Sequence, residues 1–292
     1  MKIIRSLALL GALTASLLAD APTTTVPAIQ TPASPTYFAG KLVWANLYTT
    51  DVGAATQFYT RLFGWTAQSD PGHSSRSVML LGDRPIAGIV TRSAQAGERA
   101  HARWVPFGSV PDVAAALQAA DAAGAKTLHP VHSVPNRGDQ ALFEDPQGAL
   151  FGLVHSSSGD PGEYRADLGE WTWAELFARD PAAAAKFYAD VARYEIVPDH
   201  RTDDLNRLVL ASGGYSRASV LPVPDRPHAH PAWLLFVRVQ SVAEMTAKVT
   251  GLGGRVISEP KESAAHYVQA IIADPTGGAV GLVELPTEES TP

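Results

Sequence analysis

Apolar and polar positions alternate over Lys41–Thr49 and again over Glu170–Ala178, and both stretches are rich in aromatic and branched side chains. That period of two predicts a strand in each place. An aspartate follows each strand, Asp51 and Asp180, and the apolar residues then fall three and four apart through Leu62 and Val191. The spacing predicts helices with the aspartate at the N-cap. A strand-rich middle leads to Trp104–Val110 and Trp233–Val239, each running into an Ala-rich helix that stops at Gly124 or Gly253. Each half closes on a strand pair, Asp139–Glu144 with Ala149–His155 and Val268–Ala273 with Ala279–Glu284. The Asp-Pro-x-Gly between the paired strands suits a tight turn, because Pro presets its second position and Gly relieves its fourth.

The two halves are one unit written twice. Trp44-Ala45-Asn46-Leu47 recurs 129 positions on as Trp173-Ala174-Glu175-Leu176. Phe58-Tyr59 maps to Phe187-Tyr188, Trp104 to Trp233, and Asp145-Pro146-Gln147-Gly148 to Asp274-Pro275-Thr276-Gly277, all in the same register. The expected fold class is α+β, two tandem βαβββ modules over 37–155 and 169–285, with the Ser/Gly/Asp-rich stretch 156–168 as linker and 286–292 as a disordered tail. His129 and His132 straddle Pro130 in a predicted loop.

The N-terminus reads as an address. Lys2 and Arg5 precede an uncharged run, Ser6 to Leu18, too short to span a bilayer that needs about 20 apolar residues. Residues 1–19 are therefore expected to be a signal peptide and the chain to be exported, periplasmic or secreted. Asp20 stands where a lipoprotein signal would need Cys, so no stable membrane anchor is expected after cleavage. Residues 20–36, rich in Pro and Thr, are expected to form a solvated tether.

Composition narrows the chemistry. The 292 residues include 23 Lys+Arg and 29 Asp+Glu without a long run of either sign, which argues against a nucleic-acid partner. The absence of cysteine excludes disulfides, thiolate nucleophiles and Cys-type zinc sites. Any metal has to be held by His, carboxylate, amide or backbone oxygen.

Alternation places Trp173, Glu175 and Phe177 on one face of their strand, and Trp44, Asn46 and Tyr48 on the matching face in the first copy. On the closing strands Phe151, Leu153 and His155 share a face, as do Val280, Leu282 and Glu284. Polar groups thus recur at two equivalent places: Asn46 with Glu175, and His155 with Glu284.

These two modules, each opening on an aromatic-x-polar strand and closing on Asp-Pro-x-Gly plus a strand ending in His or Glu, resemble the vicinal oxygen chelate superfamily. That group includes glyoxalase I, bleomycin-resistance proteins and extradiol dioxygenases. The resemblance implies a curved mixed sheet per module with helices on the convex face, and modules paired around a cleft. In the family's metalloenzymes the first and last strands of a module hold a divalent metal. The corresponding positions are Asn46, His155, Glu175 and Glu284, a donor set for Zn, Ni, Mn or Fe with no organic cofactor. Trp233, Leu234 and Leu235 stand where an extradiol enzyme would need a further His, which disfavours that chemistry.

Two activities follow as expectations. One is a metal-dependent lyase or isomerase acting on a small carbonyl or vicinal-oxygen compound, with Glu175 or Glu284 moving the proton. The other is a non-catalytic protein that holds an aromatic or antibiotic-like molecule by stacking on Trp44, Tyr48, Trp173 and Phe177. Either takes a small-molecule ligand, as a monomer or a homodimer.

Overall fold

The capping aspartates act as predicted. In the computed structural model, which describes residues 26–70, 73–92, 102–199, 207–226, 229–262 and 267–286, Asp51 Oδ1 accepts from the Ala54 amide at 2.8 Å and Asp180 Oδ1 from the Ala183 amide at 3.0 Å. Each bond satisfies one of the amides that a helix start leaves without a partner.

The first module runs β1 (Leu42–Thr49), α1 (Val52–Phe63), β2 (Thr66–Asp70), β3 (His73–Leu81), β4 (Arg84–Thr91), then β5 (Arg103–Ser109), α2 (Val113–Ala122), β6 (Lys126–Val134), β7 (Gly138–Glu144) and β8 (Leu150–His155). The second repeats it: β9 (Trp171–Ala178), α3 (Pro181–Ala192), β10 (Glu195–Pro198), β11 (Leu208–Ser212), β12 (Tyr215–Pro222), β13 (Ala232–Arg238), α4 (Val242–Val249), β14 (Arg255–Glu262), β15 (Val268–Ala273) and β16 (Ala279–Glu284). Each module therefore contains βαβββ twice. The sequence shows the unit plainly only once per copy, because short edge strands such as β2 and β10 carry little apolar alternation.

Each module forms one eight-stranded mixed sheet, ordered β2-β3-β4-β1-β5-β8-β7-β6 and β10-β11-β12-β9-β13-β16-β15-β14. At the centre β1 lies antiparallel to β5, and each of these has a parallel neighbour, β4 and β8. First and last strands of the two βαβββ units thus lie side by side in the middle of the sheet. His129 and His132 sit not in a loop but on the edge strand β6, whose register shifts around Pro130. Proline is tolerated there because an edge strand leaves one row of amides unpaired.

The helix-bearing faces of the two sheets pack on each other. One continuous core joins Leu47, Phe58 and Phe151 of the first module to Leu176, Phe187 and Leu282 of the second. The Phe151 and Trp233 rings approach to 5.3 Å between centroids. Each sheet's other face is left open, with its own small apolar cluster around Trp44 and Phe107 or around Trp173 and Phe236.

Residues 1–25 and 287–292, which carry the signal and most of the tail assigned from the sequence, lie outside the described residues. The tether assignment is corrected from residue 26 onward. Ile29 is 3% exposed and packs into the open-face cluster of the first module. The Phe38 amide donates to Asp160 Oδ2 at 2.7 Å and the Ser34 amide to Ser158 O at 2.8 Å. A Pro/Thr-rich composition predicts solvated backbone, but one aliphatic side chain and the buried polar groups of 156–160 suffice to hold it down.

Candidate functional site

The open face of the first module carries a cavity of about 410 Å³. Strand β1 supplies its floor, since alternation turns Trp44, Asn46 and Tyr48 to this side while Ala45 and Leu47 enter the helix-side core. Asn46 is the polar hub. Its Oδ1 accepts from Trp44 Nε1 at 2.9 Å, and its amide hydrogen-bonds the Tyr48 phenol. Burial pushes the Tyr48 pKa up, while the Asn46 bond and the charge of Arg76 pull it part of the way back. Gly88 faces Asn46 across the parallel pair, and a Cβ there would lie 2.3 Å from Asn46 Oδ1. Glycine is what lets the amide lie flat against β4.

The wall opposite is cationic. The Arg137 guanidinium stacks on the Trp44 ring at 3.7 Å, its Nε donates to Pro27 O at 3.1 Å, and the residue is 1% exposed. Burial, and then repulsion from Arg76, pulls its pKa down to about 9.

The open face of the second module is arranged differently. Glu175, at the position of Asn46, is buried, and its Oε1 accepts from Arg207 Nη2 at 3.0 Å. Arg207 also donates to Asp199 Oδ2 at 2.7 Å and to Ser219 Oγ at 3.1 Å. One guanidinium thus compensates two carboxylates. A second cavity of about 310 Å³ lies where the modules and the 156–168 segment meet, with Trp173, Lys41 and Arg217 among its walls.

The four residues assigned as metal ligands are not brought together. Val283 lies in the open-face cluster of the second module, whereas Val280 and Leu282 lie in the helix-side core. Glu284 shares parity with the latter pair, so it projects to the helix side, where its Oε2 accepts from the Val242 amide at 3.0 Å and caps α4. Glu175 projects to the opposite face. The same holds in the first module: Val154 faces the cavity side, while His155 follows Phe151 and Leu153 to the helix side. There its Nδ1 donates to Val110 O at 3.0 Å and its ring stacks on Tyr37. This corrects the pairing of Asn46 with His155 and of Glu175 with Glu284, both as metal sites and, for the two glutamates, as a shared proton-transfer site. The physical reason is the period of two, since the residue reaching the open face from the last strand is Val154 or Val283, one position earlier.

On the open face of the first module Asn46 neighbours Gly88 and Val105, while Val154 lies further along beside Ser109; in the second Glu175 neighbours Ser219 and Leu234, while Val283 lies beside Arg238. Neither set is a metal-binding donor set of the kind the family uses. Among the described residues no group of three or more His, Asp or Glu side chains could hold a metal.

Of the side chains assigned to ligand contact, Trp44 and Tyr48 line the 410 Å³ cavity. Trp173 lines the intermodule cavity, and Phe177 packs in the open-face cluster of the second module. Sequence reasoning missed Arg76, Arg137 and Arg207. Arg137 follows Asn136, whose φ of 63° marks a tight connection between β6 and β7, but nothing local shows that its side chain turns inward.

Comparison with known proteins defines the class. Residues 41–153 match the Glyoxalase/Bleomycin resistance protein/Dioxygenase superfamily and residues 173–283 match the Glyoxalase-like domain. The chain belongs to the glyoxalase/bleomycin resistance/dioxygenase superfamily, the vicinal oxygen chelate proteins, with two modules. It is similar to "Putative glyoxylase CFP32" of Mycobacterium tuberculosis, 27% identical over 251 residues covering 85% of this chain and 96% of that one. It is also similar to the anthracycline biosynthesis protein DnrV of Streptomyces peucetius, 27% identical over 260 residues covering 84% and 94%. Among solved structures, the Mn(II)-bound glyoxalase from Novosphingobium aromaticivorans superposes with a TM-score of 0.60 at 16% identity, covering 85% of this chain and 83% of the other. An extradiol ring-cleaving dioxygenase from B. fuscum gives 0.60 at 14% identity, covering 93% and 76%.

Proposed function

We propose that this chain is a small-molecule-binding member of the superfamily that holds a flat, partly apolar ligand in the first module's cavity without a metal. The observation that carries this is the cavity itself: about 410 Å³, floored by Trp44 and Tyr48, with the Asn46 amide between them and no described carboxylate in its lining. That volume falls in the range of ordinary ligand pockets, and its aromatic residues give a flat ligand a stacking surface beside polar side chains that fix its orientation. The relatives' names, a glyoxylase and anthracycline biosynthesis proteins, support a small organic molecule as ligand. A metal-dependent lyase or isomerase is the weaker reading, because Glu175 is committed to Arg207 and Glu284 to the start of α4.

Titration of the full chain with the neutral probe 2-naphthamide, followed by tryptophan fluorescence, tests the proposal. Binding is expected, and Val90→Trp, which fills the cavity from β4, is expected to weaken it at least about tenfold, the equivalent of 1.4 kcal/mol. Mn, Zn, Ni or Fe(II) is expected to leave the melting temperature unchanged. A metal-dependent rise in melting temperature, or binding indifferent to Val90→Trp, overturns it.

Export belongs to the same proposal and rests on Lys2, Arg5 and the apolar run Ser6–Leu18. Mass spectrometry of the protein from its host is expected to find a mature N-terminus between Ala19 and Ala21; an intact Met1 on cytosolic material overturns it.

A further inference from the structure

The charge of the first module's cavity says more about its ligand. Three arginines, Arg76, Arg92 and Arg137, line it, and no described aspartate or glutamate does, in a chain whose formal net charge is −6. Such a concentration of one sign in a low-dielectric hollow attracts the opposite one. Arg137 sharpens the point. Of its five N–H donors only that on Nε has an acceptor; Nη1 and Nη2 are both buried and both without a hydrogen-bond partner. Native proteins rarely leave such groups unsatisfied, because desolvating a polar donor without a partner is costly and desolvating a charged one more so. The Trp44 stack supports the flat face of the guanidinium but takes none of these hydrogens. The lowered pKa agrees, since it records a cation with no anion beside it.

We infer that the cavity takes an aromatic oxyanion, whose carboxylate or phosphate head sits on the Nη1/Nη2 edge of Arg137 while its ring lies along Trp44, Tyr48 and Phe107. A planar guanidinium meets either head with two parallel N–H···O bonds, which is the pairing that would satisfy the two orphaned nitrogens. Arg76 adds long-range attraction, and the apolar walls exclude the water that would otherwise screen it. The same charges make the cavity hostile to a divalent cation. This rests on the reading of that cavity as a ligand site, and the test separates the two.

Calorimetric titration of the full chain with 2-naphthoate, 2-naphthyl phosphate and 2-naphthamide compares one ring under three heads. At least one anion is expected to bind about tenfold or more tightly than the amide, and the tighter of the two identifies the head. Arg137→Met, which keeps the stem over Trp44, is expected to abolish that preference, lowering anion affinity about tenfold or more. Its ligand-free melting temperature is expected not to fall, since the variant removes an uncompensated buried charge. Arg76→Gln, at a half-buried position, is expected to lower the preference severalfold. Amide binding equal to both anions overturns the oxyanion and leaves the cavity a ligand site; failure of all three probes at millimolar concentration overturns both. A preference that survives Arg137→Met and Arg76→Gln, or a lower melting temperature in Arg137→Met with unchanged probe affinities, assigns Arg137 to structure and overturns the inference.

Discussion

Glu175 and Asn46 occupy one position of a duplicated unit, and their partners decide what each can do. Asn46 is neutral, bonded to Trp44 and Tyr48, and lines a cavity. Glu175 is a buried carboxylate, and it is tolerable because Arg207 bonds it together with Asp199. Breaking such a cluster from the cation's side removes a charge-assisted partner from two buried carboxylates at once. Arg207→Met is therefore expected to destabilise the protein by about 3–5 kcal/mol in urea denaturation, with Glu175→Gln costing clearly less. A loss below about 1 kcal/mol for Arg207→Met would mean that the cluster is solvated and behaves as a surface pair. Nothing near Glu175 in sequence announces Arg207, which reaches it from the start of the neighbouring β-hairpin. The sequence therefore exposes the carboxylate's position and conceals its neutraliser.

At the scale of elements, local rules were legible where one residue dictates one geometry. Asp51 and Asp180 cap their helices, and Asp145 turns its chain by accepting from the Gln147 and Ala149 amides at 2.8 and 3.0 Å. The faces of β1 and β9 followed from alternation alone. What could not be read was which face of the last strand meets which face of the first. One strand, β5, antiparallel to β1 and parallel to β8, intervenes between Asn46 and the closing strand, and only the pleat through all three settles it. His155 and Glu284 looked like site residues because a polar group ending an apolar row is conspicuous. The structure gives both a structural task at the entrance to their module's second helix, one on Val110 O and one on the Val242 amide. A carboxylate on the first turn of a helix is favourable because it meets the positive end of the helix dipole. Strand β6 escaped notice because Pro130 and a run of exposed residues give it no period of two.

At the scale of the whole molecule, the most recurrent signals in the sequence turn out to bind the modules to each other. Tyr59 donates to Asp274 Oδ2 at 2.9 Å and accepts from Trp104 Nε1 at 2.8 Å; Tyr188 donates to Asp145 Oδ2 and accepts from Trp233 Nε1, each at 3.0 Å. Tyr, Trp and the aspartate of Asp-Pro-x-Gly recur in register because each module's tyrosine reaches the other module's turn. Burial, and then the negative aspartate, hold both phenols well above their ordinary pKa. Tyr194, whose phenol donates to Gly40 O at 2.6 Å, is raised by burial as well. A raised acid is neutral when folded but ionises when unfolded, so the stability it supports is complete below the unfolded value of about 10 and is lost as pH climbs from there toward the folded value. Three such groups at one junction compound the slope. Chemical denaturation is therefore expected to show stability level up to about pH 9.5 and falling steeply above 10, each further pH unit costing up to about 1.4 kcal/mol per tyrosine. The double variant Tyr59→Phe/Tyr188→Phe is expected to be less stable at pH 7, because Asp274 and Asp145 each lose a buried donor, yet to fall less steeply in alkali. If the wild type and the double variant show equal alkaline slopes, the two phenols ionise as freely in the folded chain as in the unfolded one, and the junction does not work in this way.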